Sequence, residues 1–487
     1  MRVVILGAGC TGLGAAYRLH ELGYPNFLVI EQNDYPGGLA TSFVDEKGFT
    51  WDIGGHVQFS HYDYFDRLME NALGAEWLKH LRQSYIWIRE RFVPYPFQNN
   101  IRSLPADDLA ACLRGLIAAR QNRSAHPKNF EEWILHSFGR GIADLFLVPY
   151  NTKVWACPPA QMSYQWIGER VASVDLARIT DNILMERDDP AWGPNNTFGF
   201  PLRGGTGAIW RAVAGLIPAS HFRYRCSAVK VDTNTRTVLS AGGDEFEYDA
   251  LISTLPIDVL AELIGDRELI SESSQLRYSG THVVGVGIRG NAPTHLKEKN
   301  WLYFPENNCP FYRVTIFSNY SPHNVPGDGY WSLMAEVAES SFQPVDHSTV
   351  VKDVLHGMRN TKLLDARDEV ISTWHYFAPH GYPTPTVDRD EHLNRIQSRL
   401  KSWDIISRGR FGAWRYEVGN QDHCCMQGVE AADSIVFGAP ELTCWHPELV
   451  NAGKHRDQRT IFNGAKGHLR SLVHNQSSEM DRAVLSQ

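Results

Sequence analysis

Apolar residues gather early in the chain into two short runs, Val3-Val-Ile-Leu6 and Phe27-Leu-Val-Ile30. Between them lie a glycine-rich turn, Gly7-Ala-Gly9-Cys10-Thr11-Gly12, and a stretch with helical spacing. Short aliphatic runs bounded by turn signals predict buried strands, so the chain opens on strand, turn, helix and strand. Residues 106 to 190 carry amphipathic segments such as Leu109-Ala-Ala-Cys-Leu-Arg-Gly-Leu-Ile117 and Phe130-Glu-Glu-Trp-Ile-Leu135, which predict a helical block. The runs His282-Val-Val-Gly-Val-Gly-Ile288 and Trp331-Ser-Leu-Met-Ala-Glu-Val337 are β-branched or alternating, as sheet strands tend to be. Alternation returns between Tyr224 and Val238, and Ala250-Leu-Ile-Ser-Thr-Leu-Pro256 reads as one more buried strand.

The first turn supplies the first chemistry. Gly7 permits a tight turn, Gly9 lets backbone approach a pyrophosphate, and Gly12 lets the helix pack on the strand. A helix N-terminus at Cys10 and Thr11 attracts phosphate charge, and Glu31 closes the second strand where a ribose hydroxyl can donate to it. A dinucleotide is the expected ligand. A second turn, Pro36-Gly-Gly38-Leu39-Ala, follows just beyond Glu31.

Composition narrows the class. A length of 487 residues predicts two to four domains. With 47 basic and 55 acidic residues the formal charge is -8 and no basic tract dominates, so neither nucleic acid nor an anionic membrane is an expected partner. No apolar run approaches the ~18 residues that span a bilayer, and a chain that opens on a strand leaves no signal peptide, so the expected location is cytoplasmic. The eight cysteines include no Cys-x-x-Cys pair, which predicts reduced thiols, no disulfide framework and no metal site. The 14 Trp and 19 Tyr suit a site for a bulky polar ligand.

Several segments carry further chemistry. In Trp51-Asp-Ile-Gly54-Gly55-His56, paired glycines allow a loop to lie against a flat ring, and His56 is either a group on that ring or an ordinary loop histidine. His56 and His61 are five residues apart, so a metal reading is open, but no acid or cysteine cluster completes a ligand set. Arg313 follows Trp301, Tyr303 and Tyr312 and precedes Tyr320, while Arg410 and Arg415 flank Trp414, with Tyr416 next. A guanidinium fork with tyrosine hydroxyls complements a diphosphate; the alternative is surface ion pairs over core tyrosines. Tyr95, Phe97 and Gln98 pair an aromatic face with an amide, fit to stack on a base or to form a stiff loop. Gly419 and Asn420 lie in a polar turn ahead of a helix expected from about Val429, with Asp422 and His423 read as turn or cap residues.

Together these segments resemble the eukaryotic-type UDP-galactopyranose mutases over nearly the whole chain. The resemblance rests on Gly54-Gly-His-Val57, Pro94-Tyr-Pro-Phe-Gln-Asn-Asn100, Tyr150-Asn-Thr-Lys-Val-Trp155, Gly168-Glu-Arg170-Val-Ala172, Trp192-Gly-Pro-Asn195, His380-Gly-Tyr382-Pro-Thr-Pro-Thr386 and Arg410 through His423. It implies an α/β fold: a discontinuous Rossmann-like FAD-binding domain (1–105, 199–265 and 406–487), a helical domain (106–198) and a twisted antiparallel sheet domain (266–405). It implies a mutase that interconverts UDP-galactopyranose and UDP-galactofuranose: reduced flavin N5 attacks the anomeric carbon, the diphosphate leaves, and the sugar recloses through another hydroxyl. Carried over by position, Arg313 and Arg410 hold the diphosphate with Tyr303, Tyr320, Tyr382 and Tyr416. Arg170 and Asn195 lie near the diphosphate or sugar, Asn151 and Trp155 line the cleft, and Trp301 packs by the hexose. Tyr95, Phe97 and Gln98 meet the uracil. Gly7, Gly9, Cys10, Thr11, Gly12, Glu31, Gly38, Leu39, Gly55, His56, Gly419 and Asn420 bind FAD, with NADPH or NADH as reductant. A homo-oligomer is compatible with this reading.

Cys10 stands where proline is common in this turn, Ala191 replaces a polar residue before Trp192, and the Tyr320–Tyr330 loop is shorter than its counterpart. His375 and His380 stand where basic residues are usual. Other readings are a mutase for a GDP-hexose or UDP-arabinopyranose, an FAD amine-oxidase-like or porphyrinogen-type oxidase on the same fold, and a binding protein without turnover.

Overall fold

The computed structural model describes residues 1–121, 126–190 and 192–455; Ala191 and the polar tail after Gly467 lie outside them. The first apolar run becomes the strand Val3–Leu6 at the centre of a five-stranded sheet, in the order Ile405–Ser407, Ala250–Ser253, Val3–Leu6, Phe27–Ile30, Phe222–Arg223. Every pairing in it is parallel. Val3, Val4, Ile5 and Leu6 are all buried, as expected of a parallel sheet covered on both faces. Its strands come from three distant stretches of chain, so the nucleotide fold is discontinuous.

The second sheet has seven strands, in the order Glu369–Pro383, Tyr278–Arg289, Tyr330–Glu339, Arg313–Ile316, Trp301–Tyr303, Ser84–Ile88, Arg91–Pro94. All neighbours are antiparallel except Trp301–Tyr303 with Ser84–Ile88, which run parallel. Ser84–Pro94, grouped from sequence with residues 1–105, therefore extends the second sheet. Its buried Ile86, Ile88 and Val93 pack with the helical block, a partnership that local pattern does not reveal.

The helices Ala106–Gln121, Phe130–Ile142, Val148–Trp155 and Leu176–Leu184 form that block. The helix Gln421–Phe437 starts well before Val429. Its polar first turn is buried, because Asp422 meets His61 and Gln427 donates to the Val418 carbonyl at 2.8 Å. No helix among the described residues is long and apolar enough to cross a membrane.

One buried carboxyl ties the nucleotide fold together. Asp52 ends the strand Thr50–Asp52, accepts from Ser42 Oγ at 2.5 Å and takes the Thr206 N–H at 3.1 Å, just ahead of the helix Gly207–Gly215. Burial pushes its pKa up to about 6, against the hydrogen bonds from Ser42 and Thr206. A raised carboxyl pKa makes the neutral form the favoured one, so this group's contribution is full at about pH 4 and is lost as pH rises through about 6. Two units correspond to about 3 kcal/mol. The stability of Asp52→Asn relative to the parent protein, from urea midpoints, is expected to rise by up to about 3 kcal/mol between about pH 4 and about pH 7; a difference flat with pH contradicts this.

Candidate active site

At the carboxyl end of Val3–Leu6 the backbone forms a cradle. Gly7 has φ +97°, and a Cβ on Gly12 would sit 1.9 Å from the Gly7 carbonyl oxygen, so neither position accepts a side chain. The Pro36–Gly38 turn folds onto the first one: Gly37 N–H donates to the Ala8 carbonyl at 2.8 Å, and a Cβ on Gly38 would be 3.3 Å from Gly9 Cα. Leu39 is half-buried against the apolar cluster beneath. Glu31 is buried, accepting from Ala8 N–H at 2.8 Å and Asn33 N–H at 2.9 Å, and so fixes the turn to the end of the second strand.

The helix Cys10–Glu21 begins at Gly9 with no side-chain cap and no acid in its first turn. Its unsatisfied N–H groups are left for an anion. The helix Gln421–Phe437 crosses it so closely that a Cβ on Gly428 would lie 1.9 Å from Thr11 O, and one on Gly14 would lie 2.3 Å from Cys425 O. Gly419 and Asn420 lead into this second helix, just ahead of the crossing. Asn420 likewise makes no side-chain cap.

The facing wall is set by strand register. Tyr303, Arg313 and Glu336 are direct cross-strand neighbours on three adjacent strands, so their side chains share one face. Arg313 Nε and Nη2 each donate to a Glu336 carboxylate oxygen at 2.7 Å; Tyr312 Oη donates at 2.9 Å and Gly55 N–H at 3.0 Å. Burial pushes the Glu336 carboxyl up, but the Arg313 guanidinium and these donors outweigh it and hold it below the usual carboxylate range. A Cβ on Gly55 would lie 2.7 Å from Thr315 Oγ1 and 3.4 Å from Arg313 Cζ. The Gly54–His56 loop thus lies flat on this face. His56 Nδ1 is buried without a partner. Burial, opposed by the Glu336 carboxylate and helped by Arg313 and Arg410, holds the imidazole down at about 4, so it is neutral at neutral pH.

Arg410 differs from Arg313. Its Nε donates to Gly381 O at 3.0 Å and its Nη1 to Gly419 O at 3.1 Å, and its guanidinium carbon lies 4.7 Å over the Tyr382 ring and 5.6 Å over that of Tyr416. Among the described residues no carboxylate pairs with it, so its charge is unspent. Arg170 lies 5.3 Å over the other contact of the group, the Tyr416 ring. Trp155 meets Tyr416 edge to face at 4.7 Å and Tyr382 at 5.8 Å. Behind them, Arg389 makes a bidentate pair with buried Glu417 at 2.9 and 2.7 Å, fixing the turn that carries Tyr416.

Tyr303 lies 5.5 Å from Tyr95 and 5.3 Å from Tyr150. Arg82, which the motifs do not reveal, is placed 4.9 Å over Tyr95 and donates to Asn195 Oδ1 at 2.6 Å, linking the two. Phe97 is fully buried, 4.7 Å from Phe146; Gln98 is spent on the Ala172 carbonyl at 2.8 Å and Asn151 on that of Leu147 at 2.7 Å. Trp301 and Tyr320 are buried with Phe198, at 5.7 and 5.5 Å. Glu336 also escaped the sequence motifs, although an acid inside the apolar run Trp331–Val337 is the signal that marks it. His61 and His56 do not share a ligand set. Asp422 and His423, far along the chain, join His61 instead, with His61 Nδ1 2.7 Å from Asp422 Oδ2.

The family model for flavin containing amine oxidoreductases matches residues 10–436. A crystal structure of reduced UDP-galactopyranose mutase superposes with TM-score 0.92 at 50% identity, covering 94% of this chain and 98% of that one. The chain belongs to the UDP-galactopyranose mutase family. This is an isomerase-type branch of the flavin-containing amine oxidoreductases, and its members share their fold with oxidases. A protoporphyrinogen oxidase-like structure from Exiguobacterium has TM-score 0.67 at 17% identity, covering 89% of this chain and 98% of that one. Zeta-carotene desaturase of Capsicum annuum is 37% identical over 76 residues, 16% of this chain and 13% of that protein's length. The first of these shows the shared fold, and the second covers only a small part of either chain. The residues present fit the family's FAD: a glycine cradle without room for side chains, two helix N-termini without side-chain caps, and a buried His56 nitrogen with no partner among the described residues.

Removing one partner from a buried ion pair leaves an uncompensated charge and costs about 3–5 kcal/mol. Arg313→Ala is expected to lose that much in urea unfolding, and Arg313→Ala with Glu336→Gln to regain most of it. Equal losses in both proteins would mean that the pair is not what the substitution breaks.

Proposed function

We propose that the protein interconverts UDP-galactopyranose and UDP-galactofuranose with no net redox change. The observation that carries this reading is the pair of guanidinium groups in the cleft, that of Arg313 held by a carboxylate and that of Arg410 held by carbonyls alone. The substrate of an amine oxidase is itself a cation, which guanidinium groups in the cleft would repel. Bound, reduced FAD supplies the nucleophile toward the anomeric carbon, with NADPH or NADH as its reductant. The chain's own work is to hold the departing nucleoside diphosphate. Arg410 meets the charge that develops on it, and the hydroxyls of Tyr303, Tyr382 and Tyr416 donate to its oxygens. Held in place, the diphosphate is recaptured after the sugar has reclosed.

In this reading Arg313, already neutralised by Glu336, orients more than it attracts. Arg82 positions Asn195 and Tyr95 toward the sugar and base, while Phe97 and Gln98 support the base pocket from beneath. Trp155, Asn151 and Trp301 shape the cleft. His56, kept neutral by burial, faces the flavin as a hydrogen-bonding group that carries no charge of its own.

The test is to reduce the holoenzyme, add UDP-galactofuranose and follow both sugar nucleotides by chromatography. Appearance of UDP-galactopyranose without matching consumption of reductant supports the proposal; oxygen uptake with unchanged sugar nucleotide sinks it, and conversion of a GDP-hexose alone would move the specificity. In the same assay Arg410→Ala is expected to weaken UDP binding about 10- to 150-fold, the loss of a charge-assisted contact worth about 1.5–3 kcal/mol.

A further inference from the structure

The opposite face of the seven-stranded sheet carries a second constellation. Glu339 lies three residues past Glu336 on the strand Tyr330–Glu339 and so points to the other side. There Glu339 Oε2 lies 2.8 Å from His282 Nε2 and 2.8 Å from His347 Nε2. The ligand atoms of the three residues are all within 4.8 Å of one another. They come from three separate pieces of chain: the strand Tyr278–Arg289, second from one edge of the sheet, the end of its neighbour, and the loop before the helix Val350–Asn360.

We propose that His282, Glu339 and His347 form a binding site for a borderline transition-metal dication such as Zn2+. Two imidazole nitrogens and one carboxylate are a common zinc set; Glu339 now bonds both imidazoles directly, so an ion bound at about 2.0–2.2 Å from each ligand would take the place of those hydrogen bonds, with the carboxylate backing away from both rings to admit it. Hard cations such as Mg2+ or Ca2+ want oxygen cages and are poorly served by two imidazoles. The second sphere is already built. His375 Nε2 lies 2.9 Å from His282 Nδ1, so a proton held on Nδ1 leaves the Nε2 lone pair free for a metal. Phe377 packs against both rings, 4.5 Å from His282 and 4.7 Å from His347, fixing their planes.

The surroundings suit a fastening function. His282 is fully buried, whereas the His347 side chain is 50% exposed, so an ion can enter from solvent and retain a water in its fourth position. Next to Glu339, Ser340 Oγ donates to the Ala156 carbonyl at 2.6 Å, which ties this loop to the end of the helix Val148–Trp155. A metal here would lock the loop to the sheet, away from the face that carries Arg313.

The experiment uses the full-length holoenzyme without a histidine tag, stripped with chelator and titrated with Zn2+ in competition with a chromophoric chelator. One equivalent is expected to bind and to raise the unfolding temperature. His347→Ala and Glu339→Gln are each expected to weaken binding at least tenfold, with flavin content and mutase turnover unchanged. His347 is half exposed, so its removal should leave a folded protein even if His282 variants do not fold. No stoichiometric binding by the parent protein overturns the proposal. So does binding that survives both substitutions but disappears in His61→Ala, which would assign the ion to the buried His61, Asp422 and His423 cluster instead.

Discussion

Glu336 keeps its charge inside the protein because four donors converge on it: two from Arg313, one from Tyr312 and the N–H of Gly55. Desolvating two ions costs several kcal/mol each, so such a pair holds only where geometry is close and spare lone pairs are occupied. Here both conditions are met by sheet register, which sets Arg313 opposite Glu336, and by a loop residue without a side chain. The consequence reaches beyond stability. A single carboxylate fixes the loop that presents His56 and, at the same time, the orientation and effective charge of one of the two arginines in the cleft.

The second arginine is treated differently by its surroundings, and the contrast gives the cleft its direction. Arg410 is held by the carbonyls of Gly381 and Gly419 and by two tyrosine rings, partners that orient a cation without cancelling it. An anion entering the cleft therefore meets the neutralised guanidinium of Arg313 and the open one of Arg410, with Arg170 over the same Tyr416 ring. For the proposed reaction this is a useful asymmetry: the free charge strengthens its hold as the diphosphate leaves, while the paired one keeps the geometry constant.

Much of the fold could be read from the chain because the signals were local. The Gly7–Gly12 turn with Glu31 depends on residues close in sequence, and the helical block depends on periodicity within each helix. Other features depend on register or distant contact. Ser84–Pro94 joins the second sheet through a parallel pairing with Trp301–Tyr303, and the polar start of Gln421–Phe437 is helical because His61 meets Asp422 across the fold. The site was half legible for the same reason. Arg313, Arg410 and their tyrosines announced themselves by chemistry, whereas Glu336 and Arg82 gain meaning only from what the fold sets beside them. The histidines of the opposite face, dispersed from 282 to 375, offer no motif at all.

The most direct test of this account is the affinity for UDP of the Glu336→Gln holoenzyme, measured by titration calorimetry alongside its turnover and its unfolding midpoint. If Glu336 both neutralises Arg313 and pins the His56 loop, the amide should leave a folded protein that binds UDP more tightly, with a steeper salt dependence, yet turns over more slowly. Unchanged UDP affinity and unchanged turnover in a folded Glu336→Gln protein would contradict it.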